Sequence, residues 1–315
     1  DKNIDDIYLS QLKNRFEDKG LKMPKVNEVQ AIVLDNCIAI NNPIGTARCI
    51  HYKHGNIKFF ILPGVPSEMR AIFNQEIKPN HLSINSDDRI KIIKTSGKLE
   101  SFFVDKLGHY LHDSDYKIGF LPHFTGVNIK IEKINYDIPA NQFAKYCNKI
   151  YDKLTPFSYG WDSDTIEALI VNSLIDNNKT IAVSESCTGG LLSKKITDIS
   201  GSSKIFLGGL VAYSNTIKSS VLNVNSQSIN TYGAVHHIIA KEMAHNIRLL
   251  YNSDIGVGIT GISGPTGGSN EKPIGLVYIC ISYANQFYEK DFVFPFGRDI
   301  HRKMTVQTVF NMLRK

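Results

Sequence analysis

Ser184-Glu185-Ser186-Cys187-Thr188-Gly189-Gly190, set directly after the apolar run Thr180-Ile181-Ala182-Val183, gathers hydroxyl, thiol and carboxyl groups in one short turn. An apolar strand ending in a hydroxyl-rich Gly-Gly turn before a helix presents a nucleophile at the C-terminal edge of an α/β sheet. The helix start adds unpaired N–H groups and a partial positive charge, which suit a developing oxyanion or a phosphate. A serine hydroxyl attacks only when a base removes its proton. His236 and His237 open a helix and His245 reads as a helix-face residue, so none of them supplies that base. Lys218 is better placed, five residues past a strand-end Tyr213, where partial burial would lower its pKa; the plain alternative is a solvated helix lysine. Ser184 is still in strand register, and Thr188 either donates to a substrate or caps the helix. Cys187 is a rival nucleophile or a small buried filler. Glu185 either orients the lysine or stabilises the helix start.

Two further segments end apolar strands with polar groups: Tyr213-Ser214-Asn215-Thr216-Ile217-Lys218, and the loop Gly261-Ile262-Ser263-Gly264-Pro265-Thr266-Gly267-Gly268. If the three strands are neighbours, all three segments face one crevice. The glycine loop has the freedom to wrap a ligand with backbone N–H groups, or it is a plain surface loop. Arg298 and Arg302, four apart at the start of the last helix, form an anion clamp or surface charges paired with Asp299.

The elements that must position these groups are read from periodicity. Asp164 and Glu167 make a capping-box-like pair before the helix face Ile166, Leu169, Ile170, Leu174. Strand 180–184, helix 191–199, strand 206–213, helices near 216–222 and 236–251, strands 254–260, 275–283 and 287–294, and a closing helix from Arg298 then alternate as in an α/β sandwich with an antiparallel edge. Upstream, 90–95 and 127–134 read as strands and 99–111 and 139–153 as helices, a small α+β module. The first segment holds a helix with Ile4, Tyr8, Leu12 and Phe16, strands at 30–34 and 57–62, and a helix starting at Pro66 with Ser67 and Glu68 in its first turn.

A chain of 315 residues suits two or three domains, and 42% hydrophobic content is enough for a sizeable core. Apolar runs such as 255–259 are strand-length, far short of the roughly 20 residues of a membrane helix, so no membrane partner is expected. No secretory signal is read at the start. Five scattered cysteines without C-x-x-C spacing fit reduced thiols in the cytoplasm and no cysteine metal site. The net charge of +6 is dispersed, with 14 Lys+Arg against 12 Asp+Glu from Trp161 onward, so nucleic acid is not expected as a partner.

Glu-Ser-Cys-Thr-Gly-Gly (185–190), Tyr-Ser-Asn-x-x-Lys (213–218), Gly-Ala-Val (233–235), Gly-Ile-Ser-Gly-Pro-x-Gly-Gly (261–268) and Lys-Pro-Ile-Gly (272–275) occur in one order and spacing. Together they resemble the C-terminal domain of the competence/damage-inducible protein A (CinA) family. The resemblance implies a three-layer α/β domain over 159–315. Its implied activity is an amidohydrolase that turns nicotinamide mononucleotide (NMN) into nicotinate mononucleotide and ammonia in NAD recycling. It implies a Ser186/Lys218 pair with Tyr213 as a further catalytic residue, and Asn215 and Thr188 as substrate contacts in the matching site motifs. Gly189, Gly190, Gly261, Gly264, Gly267, Gly268, Arg298 and Arg302 are the remaining expected substrate contacts. No metal or other cofactor is expected for this reaction, and a homodimer is expected.

Asn42-Pro43-Ile44-Gly45-Thr46-Ala47 and Leu62-Pro63-Gly64-Val65-Pro66-Ser67-Glu68-Met69 are similar to that family's N-terminal, molybdopterin-binding-like domain, expected here as a truncated domain over 1–88. A divalent metal and ADP-ribose pyrophosphatase activity would belong to a complete form of it. Residues 89–158 are similar to the KH-like connector, with Gly97-Lys98-Leu99-Glu100-Ser101 in place of the usual Gly-Ile-Gly-Glu-Ser. His236-His237 replace the commoner Ser-Glu after Gly-Ala-Val. The rival function is the pyrophosphatase, or a non-catalytic nucleotide- or nucleic-acid-binding protein linked to competence.

Overall fold

Breaks set by proline, glycine and asparagine divide the chain into short elements in a computed structural model that describes residues 2–82 and 89–315. Contacts group them into two units, Asp1–Asp88 and Arg89–Lys315. The first carries β1 (Lys2–Ile4), α1 (Asp6–Glu17), β2 (Ile32–Leu34), β3 (Cys37–Ile40), β4 (Cys49–His54), β5 (Ile57–Ile61), α2 (Pro66–Ile72) and α3 (Lys78–His81). Asp5 starts α1 by accepting from the Tyr8 N–H at 2.9 Å, and the helix buries Tyr8 and Leu12. β1 pairs with β2, and β3-β4-β5 form an antiparallel sheet. The strand expected at 30–34 shrinks to three residues, because a 3₁₀ helix entered from Pro24 takes Lys25–Ala31. The Asn42 amide donates to the Glu68 carboxylate at 2.7 Å, so the two motifs of this unit are bonded to each other.

The second unit begins with β6 (Ile90–Thr95), α4 (Glu100–Leu107), β7 (Tyr116–His123), β8 (Gly126–Lys133), α5 (Ala140–Lys153) and β9 (Ser158–Trp161). Its antiparallel sheet has the order β7-β8-β6-β9. Val127, Ile129 and Ile131 alternate toward a core completed by Phe103, Leu107, Phe143 and Ile150. Periodicity missed two strands. β7 contains Gly119 and Pro122, which argue against a strand but are tolerated on an edge, and β9 is only four residues long.

There follow α6 (Ile166–Asp176), β10 (Ile181–Glu185), α7 (Leu191–Thr197), β11 (Phe206–Val211), α8 (Asn215–Ser220), α9 (Ser226–Tyr232), α10 (His237–Leu250), β12 (Ile255–Gly261), β13 (Leu276–Tyr283), β14 (Gln286–Val293) and α11 (Arg298–Leu313). The N-cap of α6 is Thr165, which accepts from the Ala168 N–H, whereas Asp164 turns back to the Trp161 N–H. The five-stranded sheet runs β11-β10-β12-β13-β14, with β11, β10 and β12 parallel and the last two strands antiparallel. Ile181 and Val183 pack on one side with residues of α6, α7 and α11, while Ala182 packs on the other with Ile239, Met243 and Ile247 of α10. This is a three-layer α/β domain. Because β10 lies between β11 and β12, the chain reverses direction across the sheet at β10. The crevice at such a switch point opens where the three polar segments begin.

Close approach of α10 to the sheet depends on Gly258, where a Cβ would lie 2.2 Å from the Ala240 carbonyl oxygen. Gly258→Ala is therefore expected to destabilise the protein by about 1–3 kcal/mol, read as a lower midpoint in urea unfolding.

Candidate active site

Lys218 lies one turn into α8, whose start is fixed by Ser214 accepting from the Ile217 N–H. That places its side chain back under the end of β11, 1% exposed, next to the apolar cluster of Ala212, Leu222 and Val224. Its Nζ sits 3.1 Å from Ser186 Oγ, 2.8 Å from the Ala212 carbonyl and 3.3 Å from the Tyr213 carbonyl. Among the described residues no carboxylate forms an ion pair with it. Burial lowers its pKa below that of a free lysine, opposed by a smaller pull from the Cys187 thiol. The neutral amine has two N–H donors and one lone pair. With the donors on the two carbonyls, the lone pair faces the Ser186 hydroxyl, so the geometry suits proton transfer from serine to lysine. The alternative of a solvated helix lysine does not hold.

Glu185 is fully buried and resolves its two expected roles in favour of the helix. Its carboxylate accepts from the N–H groups of Gly190, Leu192 and Ser193 at 3.1, 3.0 and 2.8 Å, and from the Ser193 hydroxyl at 2.7 Å. The negative end of this side chain therefore occupies the start of α7. Gly189 and Gly190 both take left-handed backbone conformations, φ +59° and +89°, which glycine adopts without strain. Their N–H groups do not face substrate as expected: Gly189 N–H donates to the Ser186 carbonyl and Gly190 N–H to Glu185. Among the described residues the Cys187 and Thr188 N–H groups make no hydrogen bond to a backbone carbonyl. The Thr188 hydroxyl, fully buried, is unpartnered among them. Burial pushes the Cys187 thiol up to about 12, so it stays protonated at neutral pH and is the small filler rather than a rival nucleophile. Ser184 Oγ donates to the Met243 and Val257 carbonyls and serves packing.

The remaining groups come from the first turn of α11 and the glycine loop. Arg298 donates to the Gly264 carbonyl and to the Tyr213 hydroxyl, both at 3.0 Å, so it joins the second polar segment to the third. Tyr213 stands exposed at the rim; its carbonyl, not its hydroxyl, touches Lys218. Arg302 donates from Nε to the Thr188 carbonyl at 2.8 Å and holds the Ser186–Gly190 turn. Asp299 pairs with Lys303, not with either arginine. Asn215 is exposed at the start of α8, without a side-chain partner among the described residues. Gly264 is buried, whereas Gly267 and Gly268 are exposed in the loop and Gly261 closes β12. His236 caps α10 with Nδ1 and stacks on Tyr232, a structural use of that unusual pair. His301 escaped the sequence reading entirely; it lies between the two arginines on the inner face of α11, fully buried. Its spacing from Arg298 and Arg302 was the available signal.

Residues 163–315 match the CinA C-terminal domain family. The CinA-like protein of Syntrophomonas wolfei is 35% identical over 320 residues, spanning 99% of this chain and 77% of that protein. The chain belongs to the CinA family. The CinA-like protein of Thermosipho melanesiensis is likewise 35% identical, over 98% of this chain and 76% of its own length. Among solved structures, the competence/damage inducible protein CihA from Agrobacterium tumefaciens is 33% identical over 48% of this chain and 94% of its own, with a TM-score of 0.45. In this CinA chain, no group of three or more His, Cys, Asp or Glu among the described residues could hold a metal ion. No described helix is long and apolar enough to cross a membrane.

Proposed function

We propose that this CinA-family chain is an amidohydrolase that converts NMN to nicotinate mononucleotide and ammonia through Ser186 and Lys218. The observation that carries the reading is the buried Lys218 amine, with no carboxylate partner among the described residues, 3.1 Å from Ser186 Oγ at the mouth of the β10 switch point. Neutral Lys218 takes the Ser186 proton as Oγ attacks the carboxamide carbon. The carbonyl oxygen becomes an oxyanion, stabilised by the N–H groups of Cys187 and Thr188. The lysine, now charged, returns the proton to the leaving nitrogen, the C–N bond breaks, and ammonia departs. Water then attacks the Ser186 ester with Lys218 again as base, and releases the carboxylate and the serine. Arg298 and Arg302, although tied to protein carbonyls, keep positive charge at the crevice rim, and with Asn215 and the glycine loop they are assigned to the nucleotide phosphate and ribose.

The reading is tested by measuring ammonia and nicotinate mononucleotide from NMN with the intact chain. Stoichiometric release of both supports it, and a folded protein that releases neither refutes it. The pH profile adds a sharper expectation. Activity requires unprotonated Lys218, so kcat/KM should rise with pH through an apparent pKa below the free-lysine value of 10.5, because burial favours the neutral amine. Lys218→Arg, which cannot deprotonate at any accessible pH, should lose that rising limb together with activity.

A further inference from the structure

His301 has no place in the dyad chemistry, yet it is 0% exposed and both ring nitrogens are engaged at the neck of the glycine loop. Nδ1 lies 2.8 Å from Ser263 Oγ, on the strand that leaves β12, and Nε2 lies 3.2 Å from the Gly275 carbonyl, where the chain returns into β13. A backbone carbonyl only accepts, so Nε2 carries the hydrogen and Nδ1 accepts from the Ser263 hydroxyl. The neck itself is closed by Ile262 N–H to the Leu276 carbonyl at 2.8 Å and Gly275 N–H to the Ile262 carbonyl at 2.7 Å. With that hydrogen committed to Nδ1, Ser263 Oγ does not donate to the Cys187 carbonyl 3.4 Å away, and its lone pairs accept from the Cys187 thiol, its hydrogen-bond partner one residue past Ser186. One imidazole thus joins the outgoing strand, the returning strand and, through Ser263, the Ser186 turn. A second positive charge here would be buried beside Arg298, and burial with that neighbour keeps the ring neutral.

We propose that His301 is a positioning residue: through its Nδ1 bond to Ser263 it sets the loop 263–274 against the Ser186–Thr188 turn, and so fixes the substrate-binding wall of the crevice. This rests on the deamidase reading for its kinetic consequence but not for its structural one. The loop supplies binding contacts rather than the reacting groups, so loss of the brace should act on KM.

Three variants test it. Ser263→Ala removes the donor. His301→Gln keeps a donor near the place of Nε2 but no acceptor near that of Nδ1, and His301→Asn does the reverse. Ser263→Ala and His301→Gln are expected to raise KM for NMN about tenfold with kcat within about threefold, and His301→Asn to stay near wild type. Hydrogen exchange read by mass spectrometry gives a result independent of any substrate. Exchange at Ile262 and Gly275 should quicken in Ser263→Ala and His301→Gln while β10 amides stay protected, and His301→Asn should restore it. Unchanged exchange at the neck in the first two variants overturns the proposal, as does Asn rescuing no better than Gln. If wild type releases no ammonia but the exchange pattern follows this order, the deamidase reading falls and the brace stands.

Discussion

Replacing Ser186 with alanine is expected to lower kcat for ammonia release by about 10⁴-fold or more with little change in KM, because the substrate still binds but no acyl-enzyme forms. Lys218→Met should cost a similar factor, since the hydroxyl is then left with a carbonyl-lined gap in place of a base. The two residues act as one unit, so the double variant should be no slower than the worse single one. A 3.1 Å contact between a buried amine and a buried hydroxyl is consistent with that non-additivity. Lys218→Met also leaves the Ala212 and Tyr213 carbonyls without their donor, so a fall in stability of about 1–3 kcal/mol is expected beside the loss of activity, and kcat is read on protein shown to be folded. Full additivity of the two losses would mean that the pair does not share one proton.

The largest expected effect on stability comes from Glu185. Its carboxylate, fully buried, receives three backbone N–H groups and the Ser193 hydroxyl. Glu185→Leu leaves those donors without a partner, and at about 1–3 kcal/mol for each buried unsatisfied group the loss should reach about 3–5 kcal/mol even after partial relaxation. Urea unfolding reads this as a fall in midpoint at unchanged slope. Glu185→Gln, which keeps one acceptor oxygen and fills the same space, should lose about half as much. Because the same bonds hold the turn that aims Ser186, the glutamine variant should also be slower when fully folded. A loss below about 1 kcal/mol for leucine would show that water or another group replaces the carboxylate.

Much of this site was legible before any coordinates. Three apolar runs ended in polar turns, and their meeting required only that the strands be neighbours, which placing β10 between β11 and β12 fulfils. The position of Lys218, five residues past the strand-end Tyr213, singled out the candidate base. Its burial did not follow from spacing, because it depends on the Nζ reaching the end of β11 and the Ser186 turn, 32 residues away in sequence. The roles of Glu185 were left open, since which N–H groups meet a carboxylate depends on the turn's backbone angles. That is also why, of the Thr188–Gly190 N–H groups first read as oxyanion donors, those of Gly189 and Gly190 are instead bonded to the Ser186 carbonyl and to Glu185. His301 was overlooked although its spacing from Arg298 and Arg302 put it on the same helix face; its partners could not be read, being 38 and 26 residues away on a loop whose path nothing local dictates. In the preceding module, β7 was lost to its glycine and proline, residues that weaken a strand signal without forbidding an edge strand.

The claim that Ser186 carries the acyl group is tested most directly by a single-turnover reaction with enzyme in excess over NMN, quenched at intervals and mapped by peptide mass spectrometry. The account expects an ester of the nicotinoyl nucleotide on the peptide containing Ser186, rising as ammonia appears and decaying as nicotinate mononucleotide forms. Product formation with the adduct on Cys187, Thr188 or Tyr213, or at an undiminished rate in Ser186→Ala, would contradict it.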